Sequence, residues 1–229
     1  MKGSNIKALD SSEIYKNLLN ELLNDLENLT NYSVIQSQYI KNLITKYKDQ
    51  IIKIENILDK KIMQILQFSS SYMINTDKFE ENKVYNIFII SIIGKYYKNG
   101  LFILKENPQN HYLMKMLSLK NGINVKYVWL TNIKNVGNFD TVSPSNMVEI
   151  SRLISDYLKN IKDQESMILL EGLETIKFFA DKKEDWLRYL TYIKDQISTS
   201  KSILLIPFKY SAFTQEELGL LKGNFIEIS

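Results

Sequence analysis

The sequence predicts an α/β protein in two parts: a long helical segment, then a three-layer domain on a mostly parallel sheet. Three observations lead there. Of eight glycines and three prolines, none lies between Gly3 and Gly94, so helix breakers are missing from the first third. In that third, apolar residues recur at alternating spacings of three and four, the period of a helical stripe. From about Ser71 onward, short β-rich apolar runs alternate with helical stretches.

Residues 1–10 carry two lysines and no apolar core, so they read as a flexible N-terminus without signal peptide or anchor. Residues 11–70 read as a coiled-coil oligomerisation segment. Written as heptads, Leu23, Ile44, Ile51, Leu58 and Ile65 fall at a, while Leu19, Leu26, Ile40, Tyr47, Ile54 and Phe68 fall at d. Thr30, Ser33, Ser37 and Lys61 interrupt the seam, and Ser33 with Gln36 forms a capping-box pattern. The segment is therefore one continuous helix to Phe68 or a hairpin turning near Thr30 to Ser33, and the phase kept across the gap favours the continuous helix. Its apolar stripe needs a partner helix to leave water, and the simplest partner is a second copy. The expectation is a homodimer. Isoleucine-rich a positions favour a parallel dimer and leave a trimer open. Flanking apolar residues such as Leu22, Leu43, Ile52 and Ile57 widen the stripe and also allow a bundle or docking on the second part.

Residues 71–229 read as the α/β domain. Strands are expected at Tyr72 to Ile74, Leu101 to Lys105, Lys126 to Thr131, Met167 to Glu171, Ile203 to Phe208 and Phe225 to Ile228. Helices are expected at Glu81 to Tyr96, His111 to Leu119, Ser145 to Ile161, Glu184 to Ser198 and Gln215 to Leu221. The β-branched run Ile87 to Ile93 reads as helix, because Tyr85, Phe88, Ile89 and Ile92 keep helical spacing. Ser143 as N-cap with Pro144 in the first helical position predicts where the third helix starts. Trp129 and Trp186 read as core residues. No apolar run approaches the roughly 20 residues that a membrane span requires, and the cytoplasm is the expected compartment.

Composition excludes several chemistries. There is no cysteine and one histidine, so thiol catalysis and a thiolate or paired-histidine metal site within one chain are ruled out. The 29 basic residues nearly balance 26 acidic ones, and only Arg152 and Arg188 are arginines, which leaves few bidentate readers of phosphate or bases. Nucleic acid is thus a possible but unfavoured partner. No Gly-x-x-x-x-Gly-Lys-Ser/Thr loop occurs, and Lys105-Glu106-Asn107-Pro108, the loop after an early strand, has no glycine to let amides approach a phosphate. No cofactor is expected. Ligands of an open parallel sheet bind beyond the carboxyl ends of its strands, so the residues to inspect are Thr131, Ser143, Glu171 and Pro207. Thr131 and Pro207 are expected to end neighbouring strands. Glu171 is expected to cap the next helix or pair with a lysine, and His111 to take a surface or capping role.

The second part resembles a known family. Its motifs are Gly100-Leu101-Phe102-Ile103 with Asn107-Pro108, Tyr127-Val128-Trp129-Leu130-Thr131, Ser143-Pro144, Ile168-Leu169-Leu170-Glu171-Gly172-Leu173-Glu174, and Ile203-Leu204-Leu205-Ile206-Pro207. Together they resemble the archaeal family known as domain of unknown function 835, over about Ser71 to Ser229. The resemblance implies a degenerate RecA-type fold without a phosphate loop, and it supplies no catalytic residue. Members more often have Asp where this chain has Glu171.

The expected function is that of a non-catalytic archaeal interaction or regulatory protein, which dimerises through its coiled coil and presents α/β domains to protein partners. One alternative is a nucleotide-sensing or vestigial ATPase-like domain using Glu171 and Thr131. A second is a DNA-associated basic dimer using Lys41, Lys48, Lys60 and Lys61.

Overall fold

The computed structural model describes residues 66–78, 89, 92–93, 96–118, 122–133, 139–180 and 182–228. The chain divides into two compact units, of which one is 6–65. The seam positions from Leu19 to Ile65, and with them the coiled coil, lie outside the described residues.

Among the described residues seven strands form one sheet in the order β4-β3-β2-β5-β6-β1-β7. In chain order they are β1 (Ser70–Asn75), β2 (Asn99–Leu104), β3 (Asn124–Leu130), β4 (Asp140–Val142), β5 (Ser166–Leu170), β6 (Ser202–Phe208) and β7 (Ile226–Ile228). Every pairing is parallel. Between them run the helices α1 (Tyr112–Leu117), α2 (Met147–Ile161), α3 (Leu173–Phe179), α4 (Lys183–Ser198) and α5 (Gln215–Asn224). Strands covered on both faces read as continuous apolar runs, which is why Met167 to Leu170 and Ile203 to Ile206 show no polar alternation.

Alternation along the strands sorts the core into two layers. One face carries Leu101, Ile103, Ile168, Leu170, Leu204 and Ile206, packed with Ile150 and Ile154 of α2, Leu173 and Ile176 of α3, and Trp186, Leu190 and Ile193 of α4. The other carries Phe102, Leu104, Leu169 and Leu205, all fully buried. Ile89, Ile92 and Ile93 are helical and fully buried, as the helical spacing of that segment predicts. Ile93 covers the second face: a Cβ on Gly100 of β2 would meet its Cδ1 at 2.7 Å, so any larger residue there has to push that methyl aside. Each buried Leu or Ile contributes roughly 1.5–3 kcal/mol of transfer free energy, and these two layers dominate the domain's stability.

Several boundaries differ from the sequence expectation. Phe68 sits in a turn, 43% exposed and edge-on to Tyr97, so the expected helix does not reach it. The left-handed backbone of Ser69 (φ 61°) then leads straight into β1. Two short elements carry no sequence signal: β4, three residues on the sheet edge, and α3, which starts one residue after β5 closes into a turn. Ser143 is not the N-cap of α2. Asn146 takes that role, accepting from the Glu149 amide at 3.0 Å, while Pro144 occupies the second position of a turn closed by Asn146 N–H on Ser143 O at 3.0 Å. Trp129 is half-buried on β3, next to the edge strand β4, whereas Trp186 is in the core as expected. Among the described residues no helix is long and apolar enough to cross a membrane.

Candidate functional site

Strand order locates the crevice where a parallel sheet binds ligands. The connection from β2 runs outward to β3, and that from β5 runs the opposite way to β6, so the two diverge above the adjacent ends of β2 and β5. The residues beyond those ends are Lys105 and Glu171.

Each side of the crevice has a local sequence cause. After β2, Asn107-Pro108 makes a tight turn: Asn107 O accepts from the Asn110 amide at 3.0 Å, and Asn107 Oδ1 accepts from the Gln109 amide at 3.0 Å. That turn delivers His111 to the start of α1, where its Nδ1 accepts from the Leu113 amide at 3.3 Å. After β5, Gly172 adopts a left-handed conformation (φ 75°). A Cβ there would meet Leu130 Cδ2 at 2.9 Å and Lys105 Cβ at 3.3 Å, so the glycine lets the turn close over β2 and β3.

Glu171 and His111 meet inside this closure. Glu171 Oε1 lies 3.4 Å from His111 Nε2, with both side chains under 10% exposed. Glu171 Oε2 accepts from the Lys105 amide at 3.4 Å. Because Nδ1 accepts a bond, the proton of a neutral His111 sits on Nε2, the nitrogen that faces the carboxylate. Glu171 does not cap α3, and among the described residues no lysine side chain pairs with it. Gly172 occupies the N-cap position, and the buried partner is the one histidine of the chain. His111 caps a helix as expected but is buried rather than at the surface, because the Asn-Pro turn folds it inward.

The same device recurs along this edge of the sheet. Glu174 Oε1 accepts from the Lys209 amide at 2.6 Å, tying the first turn of α3 to the loop after β6. Asp77 Oδ2 accepts from the Ser211 amide at 3.1 Å, tying the end of β1 to that same loop. Three backbone amides beyond the strand ends thus point at carboxylates of this chain.

The remaining expected residues fall elsewhere. Thr131 and Ser143 come together on the outer flank, beyond β3 and β4. The Thr131 amide donates to Val142 O at 2.8 Å, and Thr131 Oγ1 accepts from the Ile133 amide at 3.2 Å. Ser143 Oγ donates to Asn132 Oδ1 at 2.5 Å and lies 2.7 Å from Ser145 Oγ. Pro207 does not stand at a strand end, and β6 is not a neighbour of β3, since β2 and β5 lie between them. Pro207 lies buried within β6 opposite Ile74. A central strand tolerates it for a geometric reason. Ser69 N–H bonds Ser202 O, so the even-numbered residues of β6 face β1 and the nitrogen of Pro207 faces β5, whose pairing ended at Leu205. The four expected residues do not form one site. Sequence reading missed His111 as the partner of Glu171, and missed Glu174 and Asp77. The available signal was an acidic residue closing an apolar strand together with a lone histidine behind an Asn-Pro turn.

Among the described residues no three His, Asp or Glu side chains are grouped to hold a metal ion. Met73, Phe208, Tyr210, Leu218, Leu221 and Phe225, with Lys222 and Glu227 beside them, border a shallow depression with no room for a water molecule. Burial pushes the Tyr210 hydroxyl well above its ordinary value, and the neighbouring Glu227 adds to that. The group is therefore a neutral phenol at any ordinary pH.

Comparison with known proteins is consistent with this architecture. A solved structure from Pyrococcus horikoshii OT3, determined as a structural study, is similar to the chain with a TM-score of 0.50 and 10% identity. The similarity covers 74% of this chain and 87% of that one, and it extends to the fold alone. No curated protein matches the sequence. The family model for proteins of unknown function DUF835 matches residues 78–225, nearly the whole span from the end of β1 to the end of α5, and the chain belongs to that family.

Proposed function

We propose that this chain is a non-catalytic interaction protein of the cytoplasm, which pairs through its N-terminal helical segment and presents two degenerate RecA-like α/β domains to protein partners. The observation that carries the non-catalytic part is the occupancy of the β2–β5 crevice. Phosphoryl transfer on such a sheet works through free backbone amides, a lysine and a metal acting together. Here the Lys105, Lys209 and Ser211 amides are bonded to Glu171, Glu174 and Asp77. A phosphate arriving at this edge would meet carboxylates where it needs donors. The heptad register of Leu23, Ile44, Ile51, Leu58 and Ile65 supports pairing.

A second reading, a nucleotide sensor, is favoured by the position of Glu171 at the switch point of the sheet. It requires Glu171 to leave His111 whenever ligand enters. Light scattering of the full chain tests the pairing. The wild type is expected at twice the chain mass and the Ile51→Asp/Leu58→Asp variant at the chain mass. A wild-type monomer, or a variant of unchanged mass, refutes the stalk.

A further inference from the structure

The crevice between β2 and β5 has the donors of an anion site, and it is full. His111 offers Nε2 from a side chain only 8% exposed, with Nδ1 committed to the Leu113 amide. Lys105 offers its backbone amide from the opposite wall. Leu130 Cδ2 and Lys105 Cβ crowd Gly172 and so fix the turn that carries Glu171. Into this cradle the chain inserts one carboxylate, and that carboxylate is tethered by only three bonds to the turn after β5.

We propose that the β2–β5 crevice is a self-occupied anion site, in which the Glu171 carboxylate is the resident ligand and acts as an autoinhibitory plug against small carboxylate or phosphate anions. The occupant is met on one oxygen by the Lys105 amide and on the other by the His111 Nε2 edge, each at 3.4 Å. The site therefore selects a planar, monovalent carboxylate over a bulkier dianion, whose extra charge would be buried without a partner. While Glu171 is seated, a free anion competes against a group of very high effective concentration, and the native crevice stays closed to it. This inference stands whether or not the chain pairs through its N-terminal segment.

Removing the plug while keeping the cradle tests it. In the full chain, Glu171→Ala deletes the side chain beyond Cβ, and the missing atoms match an acetate ion. Thermal unfolding is followed in acetate and in chloride at equal ionic strength. The Glu171→Ala midpoint is expected to climb by about 4 °C as acetate rises from 1 to 100 mM, since a ligand that binds only the folded state raises stability by mass action. The wild type is expected not to respond. Adding His111→Ala to Glu171→Ala removes one donor and is expected to abolish the response. If Glu171→Ala is too unstable to show a transition, the folded fraction by circular dichroism against acetate replaces the midpoint, with recovery expected in acetate and not in chloride. Glu171→Gln, which refills the space with a neutral group, is expected to fold and ignore acetate. A Glu171→Ala protein that behaves alike in acetate and chloride, or a wild type that responds equally, overturns the proposal.

Discussion

The two flanks of the sheet's carboxyl edge solve the same problem in different ways. Beyond β3 and β4, the chain ends its strands with short polar side chains. Thr131, Asn132, Ser143 and Ser145 bond one another and their own loops at half-exposed or exposed positions, where water is available to every group. Beyond β5 and β1 it places carboxylates that reach across to the loops after β2 and β6, and at the deepest point a buried acid faces a buried histidine. Satisfying donors inside a single loop costs little and commits little. Stitching loops together makes the inner edge one unit, whose parts cannot be removed singly without stranding a buried polar group.

The largest effects should therefore fall on the inner edge. Glu171→Ala leaves His111 and the Lys105 amide without partners and is expected to cost about 2–4 kcal/mol by urea unfolding. A cost under about 0.5 kcal/mol, the level of an ordinary surface change, would erase the contrast between the flanks. Gly172→Ala imposes a left-handed alanine whose Cβ presses on Leu130, and about 1–3 kcal/mol is expected by the same measurement.

Glu217 of α5 supplies the next contrast, a buried acid away from the sheet edge. Burial pushes its carboxyl up, but the Lys177 ammonium at 2.8 Å and the Thr214 amide outweigh that, so it titrates below the ordinary 4.5. A carboxyl lowered by folding contributes stability that is present above its unfolded value and is lost as pH falls through the folded one. Wild-type stability should thus decline below pH 4.5 more steeply than that of Glu217→Gln, measured as urea midpoint against pH. Parallel profiles would show that the Lys177–Glu217 tie contributes nothing.

On the outer flank the effects are smaller and sort by position. Asn146→Ala removes the N-cap of α2 and is expected to cost about 1 kcal/mol. Ser143→Ala, three residues earlier in the same loop, should stay within about 0.5 kcal/mol, because its hydroxyl serves only exposed neighbours. Reversed magnitudes would return the helix start to Ser143 and Pro144.

What was legible in the sequence follows the range of the interactions. The buried strands announced themselves because continuous short apolar runs such as Ile203 to Ile206 mark strands covered on both faces, and α2 and α4 did so through their stripes. The short α3 and β4 are held by tertiary contacts and a single turn, and neither length carries a period. Ser-Pro is a fair helix start on local rules, but Asn146 competes for the same role and places its Oδ1 on the Glu149 amide, so the helix begins later. Glu171 could be singled out from one strand and the residue after it. Its partner could not, because His111 comes from the far side of β2, and that adjacency exists only once the strand order is known. For the same reason Pro207 and Thr131 look like neighbours in sequence logic and lie three strands apart in space.

The most direct test of the sealed inner edge is isothermal titration calorimetry of the full chain with ATP, GTP and cyclic AMP in magnesium buffer. No heat beyond dilution is expected at millimolar nucleotide. A saturable heat that disappears in Glu171→Gln would contradict it, by showing that Glu171 serves a ligand instead of replacing one.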